Sequence, residues 1–171
     1  MKSRRKGICL VLVMMLILGM AGSTALAANR PQSVFSGGLS IWYWPGEGSI
    51  TSIDVGYEKT LNADFALHGK GSLGLESGVT ILGALVGVKK YLEPTAPQGL
   101  WIGGFASLSN WSVPLGWGLM ISQNLFGFGA EGGYRYSFTP NFSIEPFAQA
   151  GYYTAGVGFA FTFGANVGYA F

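Results

Sequence analysis

Bulky apolar and small residues alternate with a period of two along most of this chain, and residues 156–171, GVGFAFTFGANVGYAF, show the pattern most fully. Val157, Phe159, Phe161, Phe163, Ala165, Val167, Tyr169 and Phe171 share one face of an extended segment. Gly158, Ala160, Thr162, Gly164, Asn166, Gly168 and Ala170 share the other. A period of two held over so many residues is not helical. Aromatics along one whole face suit a strand with lipid on that side and a crowded interior on the other.

The same alternation recurs upstream. Residues 33–44 set Phe35, Leu39, Ile41 and Tyr43 against Ser36, Gly38, Ser40 and Trp42, and a Pro-Gly turn follows. Residues 51–59 alternate Ile53, Val55 and Tyr57 with Asp54, Gly56 and Glu58; residues 65–74 alternate Leu67, Gly69, Gly71 and Leu73 with His68, Lys70 and Ser72. Residues 79–92 are nearly all apolar and fit a buried helix by pattern alone, but Gly83, Gly87 and the β-branched content favour a strand. Further strands are expected at 100–111, 126–138 and 142–153, the terminal run being the eighth. Residues 112–124, with Pro114, Trp117 and Ser122-Gln123-Asn124, read as the longest exposed loop. Pro146 would sit inside a strand paired on both sides, so a bulge is expected there.

Eight strands is the even count that closure requires, and only helices and closed barrels satisfy every backbone group in lipid. The expected fold is therefore all-β: a closed antiparallel eight-stranded transmembrane up-and-down β-barrel over residues 28–171. Residues 1–27 read as a cleaved secretory signal peptide, because Lys2, Arg4, Arg5 and Lys6 precede an apolar run and Ala25-Leu26-Ala27 offers a cleavage site. That leader carries the lone cysteine, Cys9, so no disulfide or thiolate metal site is expected beyond it. It also carries four of the ten basic residues, which leaves six against eight acidic ones and no basic patch for nucleic acid.

Residues 56–67 and 133–144 align without gaps as a repeated strand, turn and strand. Symmetry about each turn sets Arg135 opposite Glu145, Glu131 opposite Gln149 and Glu58 opposite His68. The inward positions Asp54, Glu58, His68, Lys70, Lys89, Glu131, Arg135, Glu145, Gln149 and Asn166 form an expected lumenal polar network, since buried charge is tolerable when paired. On this reading Arg135→Ala destabilises the barrel by a few kcal/mol and Glu145→Ala adds little to it. An aromatic girdle is expected from Trp42, Trp44, Trp111 and Tyr152 at the outer rim and from Tyr57, Tyr91 and Tyr136 at the inner rim.

With these elements in place, the chain resembles the small outer-membrane β-barrel families of the OmpA and OmpX kind. The resemblance covers nearly all of residues 28–171 and is most specific at the repeated hairpin and at Val167, Tyr169 and Phe171, which look like the signal read by the barrel-assembly machinery. It implies export to the outer membrane, contact with membrane lipids and lipopolysaccharide, a monomer, and a structural or interactive role. A narrow channel or small-ligand conduit is the alternative, and lipid-modifying catalysis a remote one. No catalytic residues, metal ligands or cofactors are assigned. Outer-membrane lipid A deacylases place a His and a Ser close together, whereas His68, the only histidine, has its nearest strand serine at Ser72, about 13 Å along an extended chain.

Overall fold

The computed structural model describes residues 33–171 except 47, 77, 94, 95, 117 and 118; the expected signal peptide lies outside the described residues. Eight strands run in order: β1 (Ser33–Trp44), β2 (Gly48–Thr60), β3 (Phe65–Glu76), β4 (Val79–Tyr91), β5 (Gly99–Gly116), β6 (Leu119–Ser137), β7 (Phe142–Tyr153) and β8 (Gly158–Ala170). Each pairs antiparallel with the next, and β8 returns to β1, giving a closed barrel. The expected fold is the observed one. Closure is sealed where β1 begins beside the last residue, Ser33 N donating to Phe171 O and Phe171 N to Ser33 O, at 3.2 and 3.0 Å. No helix among the described residues is long and apolar enough to cross a membrane.

Sidedness follows the alternation. On β7 every second residue is buried and every other one exposed, with Ser143, Glu145, Phe147, Gln149 and Tyr153 inward and Ile144 and Tyr152 outward. The outer surface is apolar all round, while the polar and charged residues on the strands are mostly buried. This inversion of a soluble core is what lipid outside and a closed interior demand. The segment 79–91 is a strand throughout, its glycines facing the lumen where neighbouring side chains need room.

Two expectations about elements are corrected. Residues 112–124 are not a free loop: β5 and β6 continue as a hairpin past the ends of β4 and β7, with Val113 opposite Ile121 and Ser112 opposite Ser122. Side-chain bonds rivet its outer face, Asn110 Nδ2 donating to Asn124 Oδ1 at 2.8 Å and Ser112 Oγ meeting Ser122 Oγ at 2.9 Å. The other correction is Pro146, where no bulge forms. Gly133 faces Phe147 and Tyr136 faces Ile144, so the β6–β7 register is the same on both sides of the proline, and only the ladder pairs between them are lost. The register shift sits instead at residues 114–116 of β5.

Candidate functional site: the stoppered lumen

Three layers fill the barrel. At the end bearing Ser33 and Phe171, hereafter the terminal end, Tyr91, Trp101, Ala66, Ala96 and Phe147 form an apolar cluster, with Ala96 folded in from the β4–β5 connection and held by Ala96 N donating to Ala63 O at 3.1 Å. At the far end Trp42, Trp44, Ile81, Tyr153 and Ala160 form a second cluster, joined by the partly buried Trp111. The indoles of Trp44 and Trp111 meet edge to face with centroids 4.7 Å apart, and Trp42 stacks on Trp44 at 5.9 Å. Ionic and polar groups lie between the two caps.

Glu58 is the hub of the ionic layer. Both terminal nitrogens of the Arg135 guanidinium donate to it, Nη1 to Oε1 and Nη2 to Oε2, each at 2.8 Å. Tyr91 donates its hydroxyl to Oε1 at 2.8 Å, and Lys89 Nζ lies 2.8 Å from Oε2. Lys89 also donates to Glu145 Oε1 at 2.7 Å, and Arg135 Nη2 is ion-paired with Glu145 Oε2. Two cations and two carboxylates thus close a square, and the planar guanidinium supplies the bidentate side of it. Lys89 sits over the Trp101 ring with Nζ 4.1 Å from the centroid, and Arg135 Nη1 also reaches Pro97 O at 3.2 Å, which ties the square to the terminal-end cap.

A second chain of contacts crosses the lumen beside it. His68 Nε2 meets Glu131 Oε1, Gln149 donates to Glu131 Oε2 at 2.8 Å, and Lys70 reaches both Gln149 Oε1 and Asp54 Oδ2 at 3.4 Å. Ser52 continues the chain from Asp54 to Ser40. Lys70 also lies over the Phe147 ring, 4.3 Å from its centroid. A cavity of about 30 Å³ remains among these groups, room for one or two waters, with the unpartnered Asn166 Oδ1 on its wall. Among the described residues no cluster of His, Cys, Asp or Glu could hold a metal ion.

The structure brings Asp54, Glu58, His68, Lys70, Lys89, Glu131, Arg135, Glu145, Gln149 and Asn166 into one interior, with partners that differ in part from those expected. Glu131 does face Gln149 in the β6–β7 ladder and bonds to it. Glu58 faces His68 in the β2–β3 ladder, but the two do not pair: His68 turns across the barrel to Glu131, and Glu58 to Arg135 and Lys89. A long guanidinium on the opposite wall offers two aligned bonds where the ladder neighbour offers one. Because Glu145 is also shared with Lys89, the expectation that its loss adds little to Arg135→Ala is revised. Adding Glu145→Ala to Arg135→Ala should cost roughly 1–3 kcal/mol more in urea unfolding, since Lys89 loses one of its two carboxylates; a further loss near zero would contradict the shared square.

The girdle assignment is corrected at four positions. Trp42, Trp44 and Tyr91 are buried within the lumen and Trp111 packs against the far-end cluster, whereas Tyr136 and Tyr152 are exposed on the outside. Trp42 shares its parity with Ser36, Gly38 and Ser40, and Tyr91 with Lys89, so the alternation itself places both rings inward. Val167, Tyr169 and Phe171 are displayed on the outer surface at the terminal end.

No protein-family model matches this sequence, and no curated protein matches it. Solved structures do. Neisserial surface protein A, NspA, is similar at 18% identity with a TM-score of 0.65, over 81% of this chain and 96% of that one. The N-terminal β-barrel domain of Pseudomonas aeruginosa OprF matches at 17% identity and a TM-score of 0.61, over 82% and 98%. Ail, the attachment invasion locus protein of Yersinia pestis, matches at 15% and 0.55, over 83% and 99%, and has also been solved with the heparin analogue sucrose octasulfate. The likeness spans each of those barrels from end to end, and the fold of this chain is that of the small eight-stranded outer-membrane barrels.

Proposed function

We propose that this protein is an integral outer-membrane β-barrel, exported by its signal peptide, that acts through its surfaces and not as an enzyme, its lumen stoppered by charged pairs. The observation that carries this reading is the filled interior: an ionic square and a polar chain between two aromatic caps, with space left for one or two waters. A solute would have to separate these buried, mutually paired charges, which costs several kcal/mol for each one orphaned. An eight-stranded barrel is in any case only wide enough to be filled by its own side chains. In this reading the barrel is monomeric, contacts lipid and lipopolysaccharide through its apolar exterior, and is inserted by the barrel-assembly machinery through the displayed Val167, Tyr169 and Phe171.

The glycan ligand in the Ail structure does not carry over readily. The far-end connections here, at 45–48, 77–78, 117–118 and 154–157, contain no Lys or Arg with which to hold a sulfated sugar. Purified protein refolded into planar bilayers should show heat-modifiable gel mobility and no discrete conductance steps. A steady unitary conductance would overturn the stoppered barrel in favour of a narrow conduit.

A further inference from the structure

We draw no further inference here: the strongest candidate, the edge of β6 at residues 119–125 where the β5–β6 hairpin runs on past the end of β7, is already tied to Ala155 O through the Gln123 side chain, and nothing in the structure shows what would cover it.

Discussion

Replacing Glu58 with alanine is expected to cost the folded barrel about 3–5 kcal/mol, the largest loss for any single lumenal charge. The carboxylate accepts two bonds from Arg135 and one from Tyr91 and neutralises Lys89, all at 2.8 Å. Its removal leaves two buried cations to share Glu145 and strands the Tyr91 hydroxyl among apolar neighbours. Equilibrium unfolding in urea of protein refolded into lipid vesicles measures the loss. Glu58→Ala together with Arg135→Ala should cost clearly less than the two single losses summed, because the second substitution removes the charge that the first left unpaired. A single-variant loss under about 1 kcal/mol, or strict additivity, would mean that water already screens the square.

Gly164→Leu is expected to prevent folding altogether. A Cβ at this position would lie 2.6 Å from Leu39 O and 2.7 Å from Phe147 Cζ. The first of these is ladder backbone of β1, and the second belongs to the terminal-end cap, so neither can yield without opening the seam between β1 and β8 or unseating a cap residue. Overpacking of a closed interior typically costs about 1–3 kcal/mol, and a backbone clash beneath a branched side chain exceeds that. The readout is loss of the compact, heat-modifiable band together with loss of the cooperative urea transition. A variant that folds as well as the parent would show that the lumen has slack that the packing does not.

The strands and their sidedness were legible in the sequence because both depend on local alternation, which a period of two exposes directly. Asp54, Glu58, Lys70, Lys89, Glu131, Arg135 and Glu145 all fall on the small-residue face, and so their inward placement was legible too. Their partners were not. Glu58 lies on β2 and Arg135 on β6, which are never ladder neighbours and meet only once closure folds the sheet around its own side chains. Sequence symmetry specifies only ladder pairs, and so it sets Glu58 beside His68 and says nothing of Arg135. The rings of Trp42 and Tyr91 illustrate a different ambiguity: their residue type suits an outer rim girdle, but their parity with Ser40 and Lys89 turns them into the lumen, and parity decides. At residues 112–124 polar composition suggested a loop, yet Asn110, Ser112, Ser122 and Asn124 are polar because they pair across a hairpin that rises beyond its neighbours.

The seam between β1 and β8 also constrains the order of events in folding. Every other ladder joins strands adjacent in the chain and can form by local zippering, but Val34 faces Ala170 across nearly the whole described length. That single step carries the greatest loop-closure entropy and must wait for the last strand to be available. Until it forms, β1 and β8 both present unpaired edges, and Glu58, Arg135, Glu145 and Lys89 lack the enclosed space that brings them together. The ionic square is thus a late product of closure and cannot seed it. Variants of the square should speed unfolding while leaving the refolding rate nearly unchanged.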